Sequence, residues 1–265
     1  MTGESRTWER ALVTGASAGI GASMCRALAA EGTDLVIVAR DRVRLSELAD
    51  ELAAAHAVKV TVLAADLGDG LGLEEVAARI GEAGEPVDLV VNNAGFAVAG
   101  DYADLTADDV QSQIDVNVAA LARLTLAAVR AMVPRGSGSI LNVSSVAGLA
   151  PGPGTAVYSA TKAFVSSLGQ SLAAELHGTG VTITTLHPGF TRTEFQERSG
   201  YAASHVPAML WQSADDVAAA ALQATKDGRS SVVSGLPNRV AAALLGFVPR
   251  GVQTRAIRTV SRLIG

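Results

Sequence analysis

The chain has 265 residues, 49% hydrophobic and 18% charged, with 21 Lys and Arg against 26 Asp and Glu for a net charge of -5. That length and apolar content can bury a large core in a single α/β domain. The acidic balance gives no basic footprint for a phosphate backbone, which argues against nucleic acid and leaves small molecules as partners.

The opening MTGESRTWER is polar and lacks the apolar centre of a signal peptide. One cysteine, Cys25, sits in the helical run ASMCRALAAEG and reads as a small core residue. The most apolar late stretch, VAAALLGFV, is far below the ~18 residues of a membrane span. These features give the expectation of a soluble cytoplasmic chain.

Short apolar, β-branched runs then alternate with Ala/Leu helical patterns: ALVT, IGASMCRALAAEG, DLVIVA, RVRLSELADELAAAH and VKVTVLAAD. The rhythm continues through VDLVVNN, a helical stretch from Ala107 to Met132, SILNVSS, a helix around Tyr158, VTITTLHPG and SSVVSG. Continuous apolar strands between helices predict βαβ units and a parallel sheet covered on both faces. No internal repeat or domain linker is visible, so one domain is expected.

The first strand runs through TGASAGIG straight into a helix. Gly15, Gly19 and Gly21 there permit a sharp turn and a close approach of backbone to a pyrophosphate, and the helix start offers free N–H groups to an anion. The second strand ends LVIVARD, placing Ala39 and Arg40 where an acidic side chain would accept a ribose 2′-hydroxyl. Arg40 instead favours a 2′-phosphate, hence NADP(H), with NAD(H) as the alternative.

In YSATK, Tyr158 and Lys162 are four residues apart and share a helix face. A phenol of pKa about 10 becomes a better proton shuttle beside a cation, which Lys162 is placed to supply. The strand SILNVSS brings Ser144 and Ser145 to the carboxyl edge of the sheet, where a hydroxyl can hold a carbonyl oxygen.

With TGASAGIG, Asp66-Leu67, NNAG, Asn117 in DVNV, NVSSVAG, YSATK and HPGFTRTEF in one order from about Ala11 to Phe195, the sequence closely resembles the short-chain dehydrogenase/reductase family. The resemblance implies a doubly wound Rossmann fold with a seven-stranded parallel sheet and helices on both faces. It places a cofactor-binding part at about 8–150, a catalytic and substrate part at about 151–235 and a basic helical extension at about 236–265.

It also implies Tyr158 as proton donor and acceptor, Lys162 as ribose ligand and modulator of the Tyr158 pKa, Ser145 rather than Ser144 as substrate-oxygen ligand, and Asn117 as holder of a relay water. For the cofactor it implies the turn from Gly15 through Ser17, Gly19, Ile20 and Gly21, then Arg40, Asp66, Leu67, Asn93, Ala94, Gly95, Pro188, Gly189, Thr191 and Thr193. His187 falls at a position that varies in the family, which implies a structural part. His56, His177 and His205 lack neighbours at metal-ligand spacing, so no metal is expected.

Substrate choice falls to EFQERSGYAASHVPAMLWQ, where Phe195, Tyr201, Met209 and Trp211 suggest an apolar lid over a hydrophobic ketone or 3-oxoacyl compound. The resemblance further implies a homodimer or homotetramer through the Ala107–Met132 and Tyr158–His177 helices. The C-terminal stretch with Arg239, Arg250, Arg255, Arg258 and Arg262 has the makings of a basic amphipathic helix, which suits an anionic membrane surface, though such helices more often pack on their own domain. The alternatives to a carbonyl reductase are a non-catalytic NADP(H)-binding regulatory protein and a nucleotide-sugar epimerase or dehydratase. Retention of Tyr158 and Lys162 argues against the first, and the chain length and TGASAGIG spacing argue against the second.

Overall fold

A computed structural model describes residues 8–201, 206–236 and 238–240. The strands are β1 (Arg10–Thr14), β2 (Asp34–Ala39), β3 (Val60–Ala64), β4 (Leu89–Asn92), β5 (Gly138–Val143), β6 (Val181–His187) and β7 (Ser231–Val233). They pair in parallel in the order β3-β2-β1-β4-β5-β6-β7, with Val13 opposite both Ile37 and Val91. Each strand between the edges has helices on both sides, which is why its sequence is apolar at successive positions rather than alternate ones.

The helices are α1 (Gly19–Ala30), α2 (Arg42–His56), α3 (Gly70–Ile80), α4 (Ala107–Ile114), α5 (Leu121–Met132), α6 (Ala156–Glu175), α7 (Phe195–Ser199) and α8 (Ala214–Lys226). Met24, Leu28, Leu45, Leu52, Val217 and Leu222 bury one face of the sheet, and Leu73, Val76, Ile80, Leu124, Met132 and Leu176 bury the other. Cys25 belongs to the first cluster, and burial pushes its thiol up to about 12, so it is inert core. The result is one doubly wound domain, as expected from the alternation of runs.

Three helices, α3, α7 and α8, were not brought out by the sequence patterning. α3 is masked by Gly68, Gly70 and Gly72, yet Asp69 caps it and Leu73, Val76 and Ile80 form its buried stripe. α8 is capped by Ser213, whose hydroxyl accepts from Asp216 N at 3.0 Å. The stretch from Ala107 to Met132 is helical as expected, but a π segment at Asp115–Ala120 separates α4 from α5. Apart from Leu236 and residues 238–240, the predicted basic extension and its membrane contact lie outside the described residues.

The strand order reverses between β1 and β4. Crossovers diverge to either side there and leave a crevice at the carboxyl ends of the strands.

Candidate active site

The glycine turn is braced from β4. Thr14 Oγ1 donates to the Val91 carbonyl at 3.2 Å and accepts from the N–H groups of Asn93 and Ala94, each at 3.0 Å. Asn93 Nδ2 in turn donates to the carbonyls of Thr14 at 2.9 Å and Gly15 at 3.2 Å. Gly15 has φ +65, a conformation that a side chain resists, and a Cβ on Gly21 would collide with the Gly15 carbonyl oxygen. Thr14 escaped the sequence reading, although a hydroxyl at a strand end directly before the turn was the available signal.

α1 starts at Ala18 with no side-chain cap and no acidic residue in its first turn. By contrast α2, α3, α4 and α8 are capped by Asp41, Asp69, Thr106 and Ser213. The first N–H groups of α1 therefore lack a capping side chain, with no carboxylate to repel an anion. Ser17 and Ile20 are half-buried on this turn, and Ile20 packs on the core.

At the end of β2, Arg40 is exposed, with its guanidinium 4.0 Å from the Asp66 carboxylate. Asp66 Oδ1 accepts from Gly68 N at 2.9 Å, so the residue also shapes its own turn. Leu67, also in the expected cofactor set, has its side chain buried in the core cluster that holds Leu73. Asn92 is likewise turned inward, donating to Thr125 Oγ1 at 3.1 Å and Asn142 Oδ1 at 2.9 Å.

An ion pair absent from the sequence reading crosses the mouth of the crevice. Arg44 of α2 donates to both carboxylate oxygens of Glu194, at 3.0 and 2.9 Å, and Arg198 also pairs with Glu194. Hydrogen bonding to Arg44 holds the Glu194 carboxyl below its usual range. The preceding Thr193 lies against Gly19, where an added Cβ would stand 3.0 Å from the threonine methyl. Thr193 Oγ1 accepts from Phe195 N at 3.2 Å.

Beyond β5 and at the start of α6, the remaining expected residues converge. Ser145 caps a single turn at Val146–Gly148, accepting from Ala147 N at 3.1 Å, and its hydroxyl is near enough to Tyr158 to favour the phenolate. Ser144 is turned the other way, donating to the Lys162 carbonyl at 2.7 Å. Lys162 is 3% exposed; its Nζ donates to the Val143 carbonyl at 2.8 Å and lies 5.7 Å from the Tyr158 ring centroid. A Cβ on Gly95 would stand 2.9 Å from Asn117 Oδ1 and 3.3 Å from Lys162 Nζ, so only glycine lets the NNAG backbone pass this close.

Asn117 sits in the π segment and is fully buried. Its Oδ1 accepts from Phe96 N at 3.1 Å, and its Nδ2 donates to Phe96 O at 2.8 Å and Thr161 Oγ1 at 3.2 Å. The amide thus ties the helix to the NNAG loop on one side and to α6 on the other. Directly after β6, Pro188 O accepts from Val146 N at 3.0 Å, Gly189 packs under the Asn238 side chain, and Thr191 Oγ1 donates to Gly189 O at 3.1 Å.

The electrostatics correct one expectation. Lys162 does not bring the Tyr158 phenol down in this structure; burial pushes it up to about 12, only partly offset by the nearby Ser145 hydroxyl. Desolvation also drives the Lys162 amine down to about 8. The ammonium is directed at the Val143 carbonyl, and loss of water outweighs its influence on the phenol.

The apolar wall centres on Phe190, which the sequence reading did not single out. Its ring stacks on Tyr201 at 6.3 Å between centroids and tilts against Trp211 at 5.6 Å, while Phe195 lies 5.5 Å from the Tyr158 ring. Met209 does not join this wall, being 77% exposed. Among the described residues, no three His, Cys, Asp or Glu side chains come together as a metal site.

Comparison with known proteins follows the same lines. Residues 9–203 match the family described as short chain dehydrogenase. Over 186 residues the chain is 40% identical to sulfoacetaldehyde reductase 2 of Chromohalobacter salexigens, covering 69% of this chain and 73% of that protein. A short-chain dehydrogenase from Sphingobium yanoikuyae, solved in complex with NADPH, superposes with a TM-score of 0.81 at 34% identity over 91% of this chain and 96% of that one. The bulky-bulky ketone specific alcohol dehydrogenase from Comamonas testosteroni gives 0.78 at 30% identity, over 92% and 96% of the two chains.

Proposed function

The chain belongs to the short-chain dehydrogenase/reductase family, and from that premise we propose that it uses NADP(H) to interconvert a hydrophobic ketone or 3-oxoacyl compound and the matching alcohol. The observation that carries the proposal is the convergence on the Tyr158 ring of the buried Lys162, its Nζ 5.7 Å from the centroid, and of Phe195, at 5.5 Å, with Ser145 at the end of β5 close enough to lower the phenol pKa. The NADPH complex of the Sphingobium relative and the ketone specificity named for the Comamonas enzyme support the cofactor and the substrate class.

A dinucleotide fits the residues present. The uncapped start of α1 with Gly15, Ser17, Gly19, Ile20 and Gly21 would hold the pyrophosphate, and Arg40 a 2′-phosphate. Asp66 would border the adenine, and Asn93, Ala94, Gly95, Lys162, Pro188, Gly189, Thr191 and Thr193 the ribose and nicotinamide end. When bound, the nicotinamide supplies or takes up the hydride at the carbonyl carbon.

The chain's own groups manage the oxygen. Ser145 Oγ holds the carbonyl oxygen, and the Tyr158 hydroxyl gives it a proton as the C–O π bond breaks. With its pKa near 12, Tyr158 is fully protonated at neutral pH, yet it lies below the ~15.7 of water-like hydroxyls, so transfer to a forming alkoxide is downhill. This state suits reduction. Ile114, Leu126 and Phe164, exposed apolar residues on α4, α5 and α6, support a homodimer or homotetramer, checked by light scattering at micromolar concentration.

The test is NADPH oxidation across ketones, aldehydes and 3-oxoacyl thioesters, with Tyr158→Phe beside wild type. Turnover lost in the variant while NADPH still binds supports the reductase. Tight NADPH binding by wild type without turnover on any compound favours the non-catalytic regulatory reading.

A further inference from the structure

Two consecutive residues where β5 ends grip Lys162 at opposite ends. Val143 O accepts from the ammonium at 2.8 Å, and Ser144 Oγ donates to the lysine's own carbonyl at 2.7 Å. Ser144 is 2% exposed and takes no part in the chemistry above. Its backbone is fixed independently, since Ser144 N donates to Leu186 O of β6 at 2.8 Å. The hydroxyl therefore reaches α6 from a backbone anchored in the sheet.

A second hydroxyl meets the first. Ser166 Oγ, one turn along α6, lies 2.8 Å from Lys162 O and 2.9 Å from Ser144 Oγ. Each hydroxyl has a single proton to give, and whichever way these contacts share them, Ser144 donates into α6, to the carbonyl or to Ser166. The two serines are not equivalent. The bond from Ser166 to Lys162 O closes within its own helix, whereas the bond from Ser144 crosses from strand to helix.

The surroundings leave this crossing little slack. A Cβ on Gly148 would stand 2.6 Å from the Lys162 carbonyl carbon and 2.7 Å from its oxygen, so the turn after Ser145 lies directly on the same peptide. On the other flank Asn117 Nδ2 donates to Thr161 Oγ1 at 3.2 Å, and Thr161 Oγ1 donates to Tyr158 O at 2.7 Å. The first turns of α6 are thus held from the π segment through Thr161 and from β5 through Ser144.

We propose that Ser144 is a positioning residue for Lys162, its hydroxyl fixing the lysine backbone to the end of β5 so that the ammonium is presented to the cofactor in a set relation to Ser145. The inference rests on the reading of Lys162 as a ligand of the nicotinamide ribose. Ser144 acts through Lys162, so its effect on cofactor binding must vanish when the ammonium is absent.

NADPH titration would compare wild type, S144A, S144T, S166A, K162M and S144A/K162M, with kcat on a carbonyl that wild type reduces as a second reading. S144A should raise the NADPH Kd about fivefold and lower kcat by a similar factor, the scale of one buried hydrogen bond. S166A loses a hydroxyl from the same pair but keeps the crossing bond, so both quantities should stay within about twofold of wild type. S144T keeps the hydroxyl and should recover most of the loss. In the K162M background S144A should change the Kd by less than about twofold. An S144A within that margin of wild type, an S166A as impaired as S144A, an S144T as impaired as S144A at an unchanged urea midpoint, or an undiminished S144A effect in the K162M background would each overturn the inference. If wild type does not bind NADPH, or K162M binds it as wild type does, the functional reading falls, and the inference is judged by hydrogen exchange of residues 158–166. S144A must then lose protection that S166A keeps, and equal protection in the two overturns it.

Discussion

Replacing Lys162 by Met removes an ammonium that is 3% exposed and donates to the Val143 carbonyl at 2.8 Å. Desolvation drives this amine from 10.5 to about 8 in the fold. At about 1.4 kcal/mol per pH unit, holding the charge at pH 7 costs on the order of 3 kcal/mol of stability. The sign follows from a folded pKa below the unfolded one: above about 10.5 the amine is neutral in both states and costs nothing, and the penalty grows as pH falls towards 8. Met has no such dependence. The Val143 carbonyl left without its donor costs the variant about 1–3 kcal/mol at every pH, so the absolute difference is not diagnostic.

The slope is diagnostic. Relative to K162M, wild type should gain about 2–3 kcal/mol between pH 7 and pH 10. Tyr158 is common to both proteins and cancels to first order. Urea unfolding of the cofactor-free proteins at pH 7, 8.5 and 10, with equal m-values, reads the difference. A gap between the two that stays flat with pH would refute the reasoning, because it would mean that folding leaves the Lys162 pKa unchanged.

Gly21→Ala puts a methyl into the Gly15 carbonyl oxygen; NADPH affinity should fall at least tenfold and stability by about 1–3 kcal/mol, read by titration and urea unfolding. Arg40→Ala should weaken NADPH by about 10–100-fold and leave NADH unchanged, while equal affinities of wild type for the two cofactors would sink the 2′-phosphate assignment. Phe190→Ala removes both ring contacts, with Tyr201 and Trp211; at about 0.5–1.5 kcal/mol each, the KM for a bulky ketone should rise roughly tenfold with the NADPH Kd unaltered.

What was legible in the sequence was what repeats locally. Apolar runs such as DLVIVA and SILNVSS gave all seven strands, because a strand covered on both faces must be apolar at successive positions. Tyr158 and Lys162 were legible because helical spacing alone puts them on one face. Contacts made between distant segments were not. Thr14 with Asn93, Arg44 with Glu194, and Asn117 with Phe96 join residues that no local period links. α3 was hidden for the opposite reason: its glycines lower local helix propensity, and packing of Leu73, Val76 and Ile80 overrides it. The fall of the Lys162 pKa and the rise at Tyr158 are also invisible in YSATK, since burial produces both.

The distribution of unsatisfied groups carries the argument one step further. α2, α3, α4 and α8 are capped, at Asp41, Asp69, Thr106 and Ser213. α5 and α7 have no side-chain cap, and neither do α1 and α6, whose first turns carry the glycine motif and Tyr158. The same region holds the desolvated ammonium of Lys162, the phenol of Tyr158 and the unpartnered Nδ1 of His187. Each is a cost to the empty fold, and uncapped N–H groups and a buried cation are both complements to an anionic, hydroxyl-rich ligand. A Ser at position 18 or a Met at position 162 would relieve part of that cost and remove the complement with it. The sequence keeps Ala18 and Lys162, so the crevice gives up stability that a capped start and an apolar side chain would retain, the pattern of a surface shaped for a bound dinucleotide.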